Sequence, residues 1–383
     1  MPRDAERLDR LQCAMKEAGL DAIACALPIN VLLLTGYFPV VGKSVAIVTR
    51  DREVALIVPE DERELADCDT VDHLVAFHDK PGEAIREACD RLRLSGSVVG
   101  YECGEALEPA SYAAMHLYNS SITGLLDGAV LRPASELLAR MKAVLTPIEL
   151  DRLGRACRIA EIAFEEGSAK LGIGLKETEA AACFRAPLVT IGTGFEGVSR
   201  AEGFVFCMSG RNSGRAYGAY ARSRAKEICV TDLVLTHCNS HADGYWTDIT
   251  RTYGMGPMSE RQAEIYDAIF AARMAALEEI RPGVEAAAVD RAARDVLRSR
   301  GFGDQFKHST GHGVGFAAID HNARPRIAPD STDRLEAGMV FNVEPGIYFE
   351  DFGGVRHCDV VAVTETGTEV LTDFQTRMED LIR

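Results

Sequence analysis

Apolar residues in the first third of the chain occur in short runs that alternate with helical spacings. Leu8, Leu11 and Met15 follow the spacing of an amphipathic helix, and Gly19 stands where a helix commonly ends. Runs rich in β-branched residues, bounded by turn residues, predict strands at residues 21–26, 31–37, 45–48 and 54–58. Helical patterns return at residues 82–92 and 111–117. Strands that alternate with helices predict an α/β domain over residues 1–140.

Longer helical patterns dominate the next part of the chain. Pro147 favours a helix start close to the domain boundary, which we place at residue 140. Two pairs of helices are predicted, at residues 148–171 with 177–189 and at residues 259–280 with 284–300. Each pair precedes strand-rich sequence, which hints at an internal duplication. Residues 141–383 form the second predicted domain.

Composition excludes several classes of protein. The 383 residues, of which 47% are hydrophobic and 26% charged, suffice for two globular domains. The net charge of -16 argues against a nucleic-acid partner, and no apolar run is long enough to span a membrane. The N-terminus lacks the pattern of a secretion signal, so we expect a cytoplasmic protein. The 11 cysteines include no Cys-x-x-Cys pair, which indicates mostly reduced, buried thiols.

Chemically active residues concentrate in the second domain. Strands predicted at residues 233–237 and 245–253 are joined by Asp243-Gly244, a dipeptide typical of tight hairpins. Strand alternation places Asp248 on the same face as Thr250. The hairpin therefore presents a carboxylate on one side of a sheet.

Three later segments add ionisable side chains. His312 stands among glycines in residues 311–315, which suits close backbone approach to a site. Glu344 ends an apolar strand, and a carboxylate buried there needs a partner. On a strand predicted at residues 353–361, Cys358 shares a face with Arg356, whereas His357 points away.

These segments, in this order, resemble the signature of the prolidase, aminopeptidase P and methionine aminopeptidase superfamily. The resemblance rests on residues 243–252, 310–313, 338–348 and 354–356, and residues 30–36 are similar to the creatinase N-terminal domain. It implies an α/β fold class with a creatinase-like N-terminal domain and a C-terminal pita-bread domain, a duplicated α+β architecture. It also implies a homodimer.

In that superfamily, two divalent metals bind two aspartates, a histidine and two glutamates. By resemblance, Asp248, His312 and Glu344 match three of these ligands, while His237 and Cys358 replace the first aspartate and the last glutamate. Because this set carries less negative charge, we expect at most one divalent metal. Histidine and thiolate favour zinc or iron over manganese. A site without metal, as in the creatinase relative, remains an alternative.

The resemblance also indicates residues for catalysis and substrate binding. The two accessory histidines of the family fall on Tyr217 and Ile319, and His321 lies two residues beyond Ile319. The candidate catalytic residues are His237, Glu344, Tyr217 and His321, and the candidate substrate-binding residues are Arg356 and Asn239.

Three functions are compatible with these residues. The first is a hydrolase of a carbon–nitrogen bond in a small amino-acid-derived or short-peptide substrate, Xaa-Pro peptidase-like with an altered metal site, in which Glu344 or His237 takes a proton from water. The second is a metal-free creatinase or ectoine hydrolase-like enzyme, with His237 as general base and Glu344 orienting the substrate. The third is a non-catalytic pita-bread binding protein. Ionisable groups gathered in one site favour an enzyme. The changed ligands predict that dipeptides ending in proline are turned over poorly.

Overall fold

The computed structural model describes residues 3–40, 42–66, 68–103, 124, 126, 128–218, 222–317 and 319–383. The chain divides into two compact units, Met1–Lys142 and Ala143–Arg383. The helix predicted at residues 111–117 lies outside the described residues. Within the described part of the chain, no helix combines the length and the apolar character that crossing a membrane requires. The cysteines described there are free thiols, most of them buried.

One mixed sheet forms the centre of the N-terminal unit. Its strands are β1 (Ala22–Cys25), β2 (Val45–Thr49), β3 (Val54–Pro59), β4 (His73–Phe77), β5 (Val98–Tyr101) and β6 (Val130–Pro133). Its helices are α1 (Ala5–Ala18), α2 (Pro28–Thr35), α3 (Pro81–Arg91) and α4 (Ser135–Ala143). The strand order is β4-β3-β2-β1-β5-β6. Apolar residues of this sheet pack with Ile85 and Ala88 of α3 in a buried core.

The strand predicted at residues 31–37 is wrong, because most of this segment is helical. Helix α2 has Pro28 in its first turn and ends at Gly36, whose φ of 74° is left-handed. The helix is buried on nearly all sides. A continuous apolar run of this length has no periodicity that separates a buried helix from a buried strand, so the β-branched and leucine content misled the prediction.

Helix pairs and antiparallel strands build the C-terminal unit. The helices are α5 (Pro147–Lys170), α6 (Glu177–Thr190), α7 (Glu260–Glu279) and α8 (Ala286–Ser299). The strands are β7 (Ala201–Ser209), β8 (Leu233–Ala242), β9 (Tyr245–Gly254), β10 (Val340–Val343), β11 (Gly346–Phe349), β12 (Gly353–Arg356), β13 (Asp359–Val363) and β14 (Thr368–Val370). They form sheets β7-β8-β9, β10-β13-β14 and β11-β12. The four predicted helices are confirmed to within a few residues.

Capping explains where the first of these helices begins. The Thr146 side chain accepts a hydrogen bond from the backbone N–H of Glu149, and the Glu149 carboxylate accepts one from the backbone N–H of Thr146. Pro147 occupies the first turn, where its missing N–H costs nothing. These three residues lie within four positions of the sequence, so the helix start is encoded locally.

The hairpin of β8 and β9 positions three of the candidate site residues, His237, Asn239 and Asp248. Asp243 and Gly244 have φ values of 47° and 89°, which the tight turn requires. The turn sets a register in which Asn239 faces Asp248 and His237 faces Thr250. Residues directly opposite in an antiparallel pair share a face, as do residues two apart, so these four side chains lie on one side of the sheet.

The strand predicted at residues 353–361 is divided in two, which corrects the prediction. Strand β12 pairs with β11, and β13 pairs with β10. Between them, Cys358 exchanges backbone hydrogen bonds with Thr250 of β9, at N···O distances of 3.0 and 3.3 Å. The chain passes here from one sheet to another, a change that strand alternation does not reveal. Arg356 and Cys358 nevertheless both reach the site.

A buried ion pair fixes the backbone beside Cys358. Nη2 of Arg251 lies 2.8 Å from Oδ1 of Asp359, and Nε of Arg273 lies 2.5 Å from Oδ2. Nη1 of Arg251 donates to the Cys358 carbonyl oxygen at 2.8 Å. Although burial opposes ionisation, Arg251 and its neighbours hold the pKa of Asp359 well below its usual value. A charged Asp359 thus links β9 to β13.

Candidate active site

The five candidate metal ligands meet around Asp248. The ligand atoms of Asp248, Glu344 and Cys358 lie within 4.8 Å of one another. Nε2 of His312 is 3.6 Å from Oδ2 of Asp248, and Nδ1 of His237 is 3.6 Å from Oδ1. All five side chains are buried. The structure therefore brings together residues that are spread over more than a hundred positions of the sequence.

Two glycines allow the backbone around His312 to approach strand β10. The N–H of His312 donates to Oδ1 of Asn342 at 2.7 Å, and the N–H of Asn342 donates to the His312 carbonyl at 3.0 Å. A Cβ atom on Gly311 would lie 1.8 Å from the Asn342 carbonyl oxygen, and one on Gly313 would lie 2.2 Å from the Arg324 carbonyl oxygen. Only glycine fits at either position, which explains the residues that flank His312.

The hydrogen bonds of His312 fix its tautomer. Nδ1 lies 3.1 Å from the carbonyl oxygen of Gly313, an acceptor, so Nδ1 carries the proton. Burial lowers the pKa of His312, although Asp248 opposes the shift, so the ring is neutral. The lone pair of Nε2 then faces the Asp248 carboxylate, with Nδ2 of Asn342 at 3.3 Å. A metal-ligating histidine typically has its second ring nitrogen held in this way.

Glu344 and Cys358 retain their protons at neutral pH when only protein charges surround them. Burial raises the pKa of Glu344 to about 8, with Arg356 opposing and Asp248 adding to the shift. Burial, followed by the charge of Asp248, raises the pKa of the Cys358 thiol well above its usual value. The thiol donates to the Asp248 carbonyl oxygen at 3.1 Å. Binding of a cation by these groups would therefore release protons.

His237 and Arg356 form a buried pair on the other side of Asp248. Nη2 of Arg356 lies 3.1 Å from Nδ1 of His237, and its Nε donates to Oγ1 of Thr250 at 3.1 Å. A guanidinium group only donates hydrogen bonds, so Nδ1 is the acceptor and the His237 proton sits on Nε2. Burial lowers the pKa of His237 to about 4, with Asp248 opposing and Arg356 adding to the shift. His237 is thus a neutral side chain whose Nδ1 already has a donor.

The remaining candidates lie next to this cluster. Asn239 faces Asp248 across the hairpin, and its Nδ2 is 3.4 Å from the Thr247 carbonyl oxygen. The His321 ring meets the His312 ring edge to face, with centroids 5.1 Å apart, and its residue is exposed. Tyr217 is also exposed, with its ring centroid 5.5 Å from that of Tyr348. His321 is therefore in direct contact with a cluster residue, whereas the ring contact of Tyr217 is with Tyr348.

Sequence reasoning missed three side chains that support the cluster. Thr250 bridges His237 and Arg356, and its place on the Asp248 face was the signal that pointed to it. Tyr348 and His308 form a second pair, in which the tyrosine hydroxyl lies 2.8 Å from Nε2 of His308. The Ser309 carbonyl holds the proton on Nδ1 of His308, so Nε2 accepts from the hydroxyl. No local pattern signals this pair, since the two residues are 40 positions apart.

Both units match known protein families. The family described as the Creatinase/Prolidase N-terminal domain matches residues 7–144, and metallopeptidase family M24 matches residues 151–365. The chain belongs to metallopeptidase family M24. Membership confirms the superfamily and the fold class that the motifs indicated. Membership also identifies the chain as a hydrolase, which argues against the non-catalytic alternative. Enzymes of this family use divalent metals.

Individual relatives agree with this assignment. The Xaa-Pro dipeptidase of Pyrococcus furiosus is 30% identical over 369 residues, which cover 96% of this chain and 97% of that protein. The probable dipeptidase PepE of Mycobacterium tuberculosis is 35% identical over 236 residues, 61% of this chain and 60% of that protein. The solved prolidase structure from Pyrococcus furiosus superposes with a TM-score of 0.75 at 29% identity, covering 95% of this chain and 99% of that one. An Xaa-Pro dipeptidase structure from Bacillus anthracis reaches 0.80 at 26% identity, covering 99% of both chains.

Proposed function

We propose that this M24 enzyme hydrolyses an amide bond in a short peptide or small amino-acid-derived substrate with one divalent cation held by Asp248, His312, Glu344 and Cys358. The observation that carries the proposal is the pair of electron-rich atoms, Nε2 of His312 and Oδ2 of Asp248, which face each other at 3.6 Å. With the His312 proton on Nδ1, neither atom can donate to the other. A cation bound by both atoms would remove the repulsion between their lone pairs, and Nε2 would exchange its 3.3 Å contact with Nδ2 of Asn342 for that bond.

Three of the four proposed donors fit a single cation as they stand, and His312 adjoins them through Asp248. Ligand atoms of Asp248, Glu344 and Cys358 within 4.8 Å of one another can surround one ion whose bonds are about 2.0–2.3 Å long. Nitrogen and sulfur ligands beside two carboxylates favour zinc or iron over manganese. The cation would polarise the carbonyl of the scissile amide and lower the pKa of a water molecule.

Glu344 is the better candidate for moving the proton of the attacking water. The Glu344 carboxylate lies within 4.8 Å of the ligand atoms of Asp248 and Cys358, so it would be next to a water molecule bound there, could accept its proton and could return that proton to the departing amine. Nδ1 of His237 accepts from Arg356 and is therefore not available as a base. Asn239, beside Asp248, and His321, next to His312, are the groups that we expect to contact the substrate.

A metal-free hydrolase of the creatinase kind is the second candidate. The observation in its favour is Arg356, because its guanidinium already supplies a positive charge 3.8 Å from Oε2 of Glu344. In this reaction Glu344 would still exchange the proton, and Arg356 would bind the negatively charged part of the substrate. From the family resemblance alone, we also propose a homodimer.

Removing metal distinguishes the two reactions. The purified protein is treated with a chelator, dialysed, and assayed on short peptides before and after one equivalent of zinc or ferrous iron is added. We expect activity to disappear with the chelator and to return with the metal. Full activity in the metal-free protein would contradict the proposed function and favour the creatinase-like reaction.

A further inference from the structure

Arg356 is a buried positive charge beside the candidate metal ligands. It ends strand β12, is buried, and reaches the β8–β9 hairpin with both edges of its guanidinium group. Nη2 contacts Nδ1 of His237 and Nε contacts Oγ1 of Thr250, both at 3.1 Å. Three side chains thus hold the group in one position, since Nε also lies 3.8 Å from Oε2 of Glu344.

This arrangement does not fit a second metal ion beside the first. The atom of His237 that faces Asp248 is Nδ1, at 3.6 Å from Oδ1. That same atom accepts the hydrogen bond from Arg356. A cation held between His237 and Asp248 would need the lone pair of Nδ1 and would lie against a guanidinium group of the same sign. Repulsion between like charges in a buried site disfavours this.

We propose that Arg356 is the second positive charge of the active site, held by His237 and Thr250 beside a single metal ion. Arg356 is a positioning residue here, because it acts on the carboxylates of Asp248 and Glu344 rather than on the reacting bond. The inference rests on the proposed single-metal function. It also explains why position 237 can be a histidine. A neutral imidazole accepts a hydrogen bond from Arg356 but adds no negative charge that would attract a second cation.

The electrostatic role predicts an unusual sign for a substitution. Arg356 repels the bound cation and offsets the negative charge of the carboxylates that hold it. Removal of Arg356 should therefore tighten metal binding. A purely structural role predicts the opposite, since ligands that lose their support bind metal more weakly. The direction of the change in affinity therefore separates the two roles without any measurement of turnover.

Zinc titration of the metal-free protein, in competition with a chromophoric chelator, is the experiment. We expect one zinc per chain in the wild type, and in Arg356→Gln one zinc bound at least about tenfold more tightly. Arg356→Lys retains the charge and is expected to bind zinc with an affinity close to that of the wild type. Thermal unfolding of each variant shows whether it is folded.

Several outcomes would overturn the inference. Two tightly bound zinc ions in the wild type contradict it directly and need no variant. An Arg356→Gln variant whose zinc affinity equals or falls below that of the wild type contradicts the inference as well. If the wild type in that experiment binds one zinc, the proposed function still stands. Wild-type protein that binds no zinc or iron contradicts the proposed function and this inference together.

Discussion

Nε2 of His312 lies 3.6 Å from Oδ2 of Asp248, while Nδ1 of the same ring is 3.1 Å from the Gly313 carbonyl oxygen. The hydrogen bond to Gly313 holds the proton on Nδ1. The nitrogen that faces Asp248, Nε2, therefore carries a lone pair. A strand residue and a residue from a glycine-rich loop thereby form the centre of the proposed metal site.

Replacing Asp248 tests that centre. Asp248→Asn removes the anionic oxygen that faces His312, so we expect zinc affinity to fall by at least about 100-fold and hydrolysis to fall with it. Asp267→Asn, on the exposed side of α7, is the matched control and should bind zinc like the wild type. Both are measured by zinc titration, with circular dichroism to verify the fold. Unchanged zinc binding in Asp248→Asn would place the metal elsewhere.

Dipeptides ending in proline should be poor substrates. Replacement of two ligands and displacement of two accessory histidines remove positioned charges, and the loss of one such group typically costs on the order of 100-fold in rate. The assay is a panel of proline-containing dipeptides and tripeptides, with zinc, manganese or iron added. Turnover of around 10 per second, common for enzymes in general, would make the altered ligands a metal preference only.

Restoring two carboxylates should create a second metal site. In the double variant His237→Asp/Cys358→Glu, an aspartate can pair with Arg356 and still offer an oxygen to a cation, and the added negative charge offsets the second dication. We expect total bound divalent metal to rise from one to two equivalents per chain by elemental analysis. The two single variants are the controls. One equivalent in the double variant would show that other residues exclude the second ion.

Gly311 should tolerate no side chain. Gly311→Ala places Cβ 1.8 Å from the Asn342 carbonyl oxygen, so the backbone that carries His312 must move. We expect a loss of about 1–3 kcal/mol in the free energy of unfolding, together with weaker zinc binding. Gly172→Ala, with no atom within 4 Å of the new Cβ, is the control and should change stability by no more than about 0.5 kcal/mol. Equal stability of the two variants would contradict the close approach.

The buried ring of His357 should make the protein less stable in mild acid. Burial first, and then the charge of Arg251, lowers its pKa from 6.5 to about 4, although Asp359 opposes the shift at an Nε2···Oδ2 distance of 3.2 Å. Between these two values the unfolded chain binds a proton that the folded chain does not, so the free energy of unfolding falls as the pH falls from 6.5 to 4. The contribution of His357 is at most roughly 3 kcal/mol.

Urea unfolding at pH 7 and pH 5 measures this effect. His237, His308 and His312, whose pKa values are also lowered by burial, contribute with the same sign, and Glu344, whose pKa is raised, contributes with the opposite sign. The comparison is therefore made against His357→Gln. The variant should lose less stability between the two pH values than the wild type does. An identical loss in both proteins would mean that His357 is protonated in the folded state.

Local sequence determined much of this protein. The Thr146-Pro147-Glu149 cap, the Asp243-Gly244 turn and the glycines beside His312 each act through neighbouring residues, so the pattern alone predicted the helix, the hairpin and the close approach. The order of the motifs also indicated Asp248, His312 and Glu344 as one set.

Tertiary structure decided the rest. Helix α2 and the break between β12 and β13 depend on packing and on strand partners, which an apolar run or an alternating pattern does not specify. The contact of Arg356 with His237 joins residues 119 positions apart. It forms because the segment that follows β12 pairs with the hairpin, where Cys358 exchanges backbone hydrogen bonds with Thr250. Charge and hydrogen bonding at such a contact depend on distance in space, so the protonation of His237 and the place of Arg356 beside the candidate metal ligands follow from the fold.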